Sequence, residues 1–257
     1  MSRIVAVLAS LFVMSAPALA QEAKAKAISI RWFGQSFFQI ETGDGTKVVF
    51  DPHLMPEYSR PTCEADLILV SHEHDDHNLV EAISNLDKDK PKIIRGLVTK
   101  GKRQDWNKVD EKVKNIRVRT VGTYHDGDEG MKRGKNSIFV IETDGLKIAH
   151  LGDLGHVLDE EQVKAVGEID ILMIPVGGIY TINGEKAKEV MKQLKPRLYV
   201  LPMHYGNKVV DTLQDPEEFL DGQKNVRKLE QNNLLSVPTD LKLDKPTIVL
   251  LHWASSP

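Results

Sequence analysis

The sequence predicts an α/β protein in which two packed sheets carry helices on their outer sides, and three observations support that class. Hairpin-like text comes first, strand–helix–strand text follows, and several strand-like runs are short and wholly apolar. A wholly apolar run suits a strand buried on both faces, as a layered molecule requires. Residues 28–33, 37–41 and 46–50 read as strands, with Gly43-Asp44-Gly45 as a turn between the last two. Leu67-Ile68-Leu69-Val70 is a buried strand that delivers into Ser71-His72-Glu73-His74-Asp75-Asp76-His77, after which 78–86 reads as a helix. Residues 93–98 and 116–121 read as strands, and the charged stretch 100–114 between them reads as a solvated face. Thr143-Asp144-Gly145 joins strands at 137–142 and 146–151. Then come a helix at 160–166, a buried strand at 171–176, a helix at 185–194 stopped by Pro196, and a strand at 198–203. Charged helical text fills 216–231, and 248–252 closes with a strand.

Composition narrows the function. With 257 residues, 41% hydrophobic and 28% charged, the chain can build a core and is not a disordered polypeptide. Lys+Arg number 34 against 37 Asp+Glu, a formal charge of −3, which argues against a nucleic-acid binder working through a strongly basic surface. The single cysteine, Cys63, excludes an intramolecular disulfide and any multi-cysteine metal site, and reads as a small buried apolar side chain. At the N-terminus, Arg3, an apolar stretch over 4–14 and Ala18-Leu19-Ala20 together read as a secretory signal peptide spanning 1–20, cleaved before Gln21. The expected mature protein is one domain, 21–257, periplasmic or secreted and without a membrane span.

The chemistry concentrates in histidine and aspartate. His72, His74, Asp76 and His77 lie within six residues at the end of an apolar strand, where alternation aims His72 and His74 the same way. Gathering so many groups that lose hydration at the mouth of a buried strand is costly unless something compensates, and a metal ion does so. Three later positions repeat the design. His125 follows a strand, Asp153 sits in Gly152-Asp153-Leu154-Gly155 where flanking glycines let the backbone bend, and His204 ends a strand.

The run His72-x-His74-x-Asp76-His77, followed by His125, Asp153 and His204, resembles the ligand series of the metallo-β-lactamase superfamily. Trp32-Phe33-Gly34-Gln35-Ser36, Val49-Phe50-Asp51-Pro52-His53, Arg133-Gly134-Lys135-Asn136 and Pro202-Met203-His204-Tyr205 are similar to its sugar-phosphate-lactonase-like branch of metal-dependent hydrolases. The resemblance implies a four-layer αββα sandwich with two metal ions at one edge of the paired sheets. By that pattern His72, His74 and His125 hold one ion, Asp76, His77 and His204 hold the other, and Asp153 bridges them. Asp75 competes for the Asp76 place and otherwise caps the following helix. Gln35 stands where the branch often has histidine, and the ligand set contains no cysteine.

A nitrogen and oxygen donor set suits two divalent ions, zinc best, with manganese, iron, cobalt or nickel as alternatives. The expected activity is an exported binuclear hydrolase whose metal-bridging hydroxide attacks an ester, lactone, amide or related small substrate. Two other readings compete: a metal-dependent phosphodiesterase and a non-catalytic metal-binding protein, with an iron oxygenase on the same fold beyond those. Asp76 and His156 are the candidate catalytic residues, His156 as a proton donor or groove residue. Asn136, Tyr180 and Tyr205 are candidate substrate contacts, Asp51 is a candidate partner of a ligand loop or ligand imidazole or, equally, a buried structural carboxylate, and His150 is a structural residue. His53 and His252 carry no assignment, nor does the oligomeric state.

Overall fold

The computed structural model describes residues 26–59, 62–101 and 103–253. The expected signal segment 1–20 therefore lies outside the described residues. Strands β1 (Ala27–Trp32), β2 (Phe38–Glu41), β3 (Lys47–Phe50), β4 (Leu67–Val70) and β5 (Lys92–Arg95) form a sheet in that order, and β15 (Leu234–Pro238) joins the outer side of β1. The pairs β1–β2 and β2–β3 are antiparallel, whereas β3–β4 and β4–β5 are parallel.

The second sheet is built from β8 (Asp110–Val113), β9 (Ile116–Tyr124), β10 (Lys135–Thr143), β11 (Leu146–His150), β12 (Ile171–Pro175), β13 (Tyr199–Met203), β14 (Val226–Lys228) and β16 (Thr247–Leu250). Its order is β14-β16-β13-β12-β11-β10-β9-β8. A small ribbon, β6 (Leu97–Lys100) with β7 (Arg103–Trp106), stands beside the two sheets.

The alternation within β4 shows how the layers stack. Leu67 and Leu69 belong to the main core between the sheets, with Ile30, Phe50, Ile138 and Ile148. Ile68 and Val70 point the other way and pack with Phe37, Val49, Ala82 and Ile83. The strand is apolar throughout because both of its faces are buried, each such side chain contributing roughly 2 kcal/mol of transfer free energy. On the far side of the second sheet, α2 (Glu160–Val166) and α3 (Gly184–Leu194) bury Val166, Ala187, Val190 and Leu194. The four layers expected from the resemblance are present, with thin helical layers.

Local chemistry explains the helix ends. Asp159 accepts the Gln162 N–H at 2.7 Å while the Gln162 side chain accepts the Asp159 N–H at 3.1 Å, a reciprocal cap that starts α2. Asn183 caps α3 through the Lys186 N–H, and Lys195 in the left-handed region (φ 47°) ends it before Pro196.

Four sequence expectations are corrected. The expected helix at 78–86 is a 3₁₀ turn at Val80–Ala82 followed by the one-turn α1 (Leu86–Asp89), because Leu79 N–H donates to Pro52 O and Ser84 N–H to Cys63 O instead of to helical partners. The strand at 93–98 is divided at Gly96 into β5, which pairs with β4, and β6, which pairs with β7; Gly96 packs so tightly that a Cβ there would sit 2.5 Å from that of Ser137. The charged stretch 100–114 is partly exposed among its described residues, with Trp106, Asn107, Val109 and Val113 half-buried, and contributes β7 and the sheet-edge strand β8, where charge discourages further pairing. Charged text at 216–231 yields only α4 (Glu217–Leu220) before Gly222 (φ 75°) turns the chain into β14. No described helix is long and apolar enough to cross a membrane.

Candidate metal centre

Sheet direction assembles the site. Strand β9 is antiparallel to β10, and β10 to β11, so β9 and β11 run the same way, and β12 and β13 run parallel to them. The C-terminal ends of β9, β11 and β13 therefore share one edge. His125 follows β9 immediately, Asp153 lies three residues past β11, and His204 follows β13 immediately. The loop leaving β4 brings His72, His74, Asp76 and His77 to the same edge from the other sheet.

Two backbone features fix this convergence. Gly152 has φ +53°, and a Cβ on it would lie 2.7 Å from the Cβ of Ser71, so only glycine lets the Asp153 loop close on the β4 loop. His204 adopts φ 49°, uncommon for a residue with a Cβ. Its N–H donates to Gln35 O at 3.1 Å, and its carbonyl accepts the Gly177 N–H at 3.1 Å, so a loop from each sheet, the β1–β2 turn and the segment after β12, holds the strained residue.

The side chains form two adjoining groups. His72, His74 and His125 each offer a ligand atom within 4.8 Å of the others, and so do Asp76, His77, Asp153 and His204. Asp153 joins the groups. Its Oδ2 lies 3.1 Å from His125 Nε2, 3.1 Å from His204 Nε2 and 3.9 Å from His72 Nε2, while its Oδ1 lies 3.2 Å from His77 Nε2. Asp76 Oδ2 is 3.4 Å from His77 Nε2 and 3.9 Å from His204 Nε2. His77 Nε2 and Asp153 Oδ1 are buried and, despite their closeness, share no well-aligned hydrogen bond.

Electrostatics define what the group lacks. Burial disfavours an imidazolium at His77, but the carboxylates of Asp153, Asp76 and Asp51 outweigh it and hold His77 well above the usual histidine range. Burial, then the neighbouring His77, pushes His72 well below that range. Burial raises Asp153, yet the imidazoles of His204, His77 and His125 bring it well below the ordinary carboxylate value. The carboxylates hold His77 toward its charged form and are themselves held in theirs by the surrounding imidazoles, so the cluster calls for positive charge at its centre. A divalent cation matches that demand and the nitrogen and oxygen donor set.

A supporting shell orients the donors. Asp51, buried and with φ 44°, accepts the Ser71 N–H and Oγ–H at 2.7 Å each. Its Oδ2 lies 2.9 Å from His77 Nδ1, and Ser71 Oγ lies 2.9 Å from His72 Nδ1. One carboxylate thus sets two imidazoles with their Nε2 edges inward, His77 directly and His72 through Ser71, which favours the imidazole-partner reading of Asp51 over the purely structural one. Sequence reading missed Ser71, whose only signal is its place beside His72. Gln35 donates from Nε2 to Asp76 Oδ2 at 2.9 Å, so it orients a carboxylate where the branch often carries an imidazole.

Several expected site residues lie elsewhere. His156 stays outside the group: Tyr124 N–H donates to its Nε2 at 3.1 Å, and its Nδ1 lies 2.9 Å from Val157 O, so backbone occupies both ring nitrogens. Asn136 is fully buried and structural, donating to Thr123 Oγ1 and Leu151 O and accepting the Asp153 N–H at 3.0 Å. Tyr205 is buried against Trp32. Asp75 is exposed, belongs to neither donor group and caps no helix. His150 is structural as expected, its Nε2 2.9 Å from Ser36 O and its ring stacked on Phe50. Tyr180 does line the cavity over the donors, together with Arg133, His74, Asp76, His125, Asp153 and His204. That cavity measures about 300 Å³.

The beta-lactamase superfamily domain profile matches residues 29–204. The chain belongs to the metallo-β-lactamase superfamily. Among its relatives is a metal-dependent hydrolase of Thermococcus onnurineus, 31% identical over 211 residues, covering 75% of this chain and 90% of that protein. Another, from Thermoplasma acidophilum, is 32% identical over 212 residues, covering 75% and 89%. In three dimensions the chain is similar to a Thermotoga maritima protein named as a zinc-dependent hydrolase of the superfamily. The TM-score is 0.65 at 32% identity, over 87% of this chain and 97% of that one.

Proposed function

We propose that this metal-dependent hydrolase of the metallo-β-lactamase superfamily is an exported, binuclear enzyme that cleaves a small ester, lactone, amide or related substrate. The convergence of seven donor side chains in two groups joined by Asp153, itself one of the seven, carries the reading. His72, His74 and His125 would hold one divalent ion, Asp76, His77 and His204 the other, with Asp153 shared. Zinc suits the donors best. Ions bound there supply Lewis-acid polarisation of the substrate and ionisation of water near neutral pH. The chain's own residues do the remaining work. Asp51 and Ser71 keep His77 and His72 in the tautomer that presents Nε2, and Gln35 holds Asp76. Asp76, half-exposed on the cavity wall, is the donor that also meets substrate. A cavity of about 300 Å³ suits a small organic molecule.

Residues 21–257 form the mature hydrolase in this reading, with 1–20 directing export. Mass spectrometry of the expressed protein should find the mature chain beginning at Gln21. Metal analysis tests the centre: Asp153→Ala should lose both ions and His72→Ala mainly one. Retention of two ions in Asp153→Ala would contradict the shared-ligand assignment. A panel of chromogenic esters, lactones and phosphodiesters, run with added metals, tests the reaction class. Two ions bound with no hydrolysis anywhere would favour a metal-binding protein instead.

A further inference from the structure

Arg133 reaches the cavity from the 126–134 loop, between β9 and β10, a segment that starts directly after His125. A single buried carboxylate shapes that loop. Asp126 accepts the backbone N–H groups of Asp128, Gly130, Lys132 and Arg133 at 2.8, 2.9, 3.0 and 2.7 Å. The Arg133 side chain then spans to the opposite wall, where Nη2 donates to Ile179 O at 3.1 Å and the guanidinium lies 5.4 Å from the centre of the Tyr180 ring. Tyr180 is 47% exposed, so its face stands open beside the cation.

The charge of Arg133 is unmatched. Arg95, Arg117, Arg119 and Arg197 each pair with a carboxylate, whereas Arg133, like Arg31, Arg103 and Arg227, has no carboxylate partner among the described residues, and of these four it is the one that lines the cavity over the donors. One of its five N–H donors is used. The carboxylates lining the cavity, Asp76 and Asp153, both belong to the proposed metal-donor group. With two divalent ions in place their charge is more than neutralised, and Arg133 adds to a net positive site.

We propose that Arg133 anchors an oxyanion group of the substrate, a carboxylate or a phosphate, so that the hydrolase acts on small anionic molecules. This rests on reading the cavity as the substrate site. A guanidinium held on an aromatic face with donors to spare is shaped for such a group, and a charge-assisted pair in a confined site discriminates against neutral analogues.

Isothermal titration of the zinc-loaded protein with benzoate, phenylphosphonate and neutral benzamide tests the proposal without needing turnover. In the natural protein at least one anion should bind about tenfold or more tighter than benzamide. Arg133→Gln should erase that preference with metal content and melting temperature unchanged, and Arg133→Lys should restore part of it. The tighter anion identifies the group. Equal binding of anions and benzamide would overturn the proposal. A preference that persists in Arg133→Gln would place the anion on the metals and overturn it as well. Since binding is read directly, a protein that binds anions through Arg133 yet hydrolyses nothing would refute the reaction class and leave this anchor standing.

Discussion

At the scale of single residues, the buried polar groups divide into those that hold donors and those that hold the chain. Asp51 belongs to the first kind: removing its carboxylate frees Ser71 and the Nδ1 side of His77 together. Asp51→Ala should weaken metal binding about 10–100-fold, measured by competition with a chromophoric chelator. Unaltered affinity would mean that packing alone orients His77. His53 belongs to the second kind. Its Nδ1 accepts the Met55 N–H at 3.2 Å and its Nε2 faces Gly34 O at 3.3 Å, an arrangement suited to the neutral ring, and burial lowers its pKa to about 4. Because the unfolded ring takes up its proton near pH 6.5, the unfolded state binds more protons between the two values. The stability His53 contributes is complete above about pH 6.5 and is lost as pH falls toward 4, by up to about 3 kcal/mol. Urea titrations at pH 7.5 and 5 should show a shallower pH dependence in His53→Gln than in the natural protein. Identical slopes would contradict the assignment.

At the scale of elements, the loops leaving strands matter more than the strands. The Leu151-Gly152-Asp153 turn fits against Ser71 only without a Cβ. Gly152→Ala would impose both a left-handed strain and a collision with the β4 loop, so we expect about 2 kcal/mol or more of lost stability in urea and a parallel loss of bound metal. Full metal content in a folded Gly152→Ala would show that the loop has room to shift. Strand type was legible where burial is two-sided, as in β4 and β12, because continuous apolar text has few alternatives at that length. It was less legible for β7, β8 and β14. These edge or ribbon strands are largely exposed, and their charged residues follow no apolar period. The short helices failed for a related reason: Leu79 and Ser84 give their N–H groups to Pro52 and Cys63, partners no local pattern specifies.

For the whole molecule, the donors come from both sheets, His72, His74, Asp76 and His77 from the first and His125, Asp153 and His204 from the second. Bound ions would therefore tie the two halves of the sandwich across their shared edge. Chelation should lower the melting temperature by about 5–10 °C, and added zinc should restore it, as linkage predicts for a ligand well above its dissociation constant. A melting temperature indifferent to chelator would place the metals outside the stability of the fold.

The amino-acid sequence by itself determined the donor types, their order and their position at strand ends, because apolar runs and the polar residues that end them are local features. It also determined the class of layered architecture. Only the tertiary structure decided that Asp51 and Ser71 orient two imidazoles, that His156 and Asn136 bond to backbone rather than face the cavity, and that Arg133 stands over Tyr180. Those outcomes depend on which strands become neighbours and which way they run. Proximity between residues far apart in the chain arises from sheet order and packing, which no local periodicity encodes.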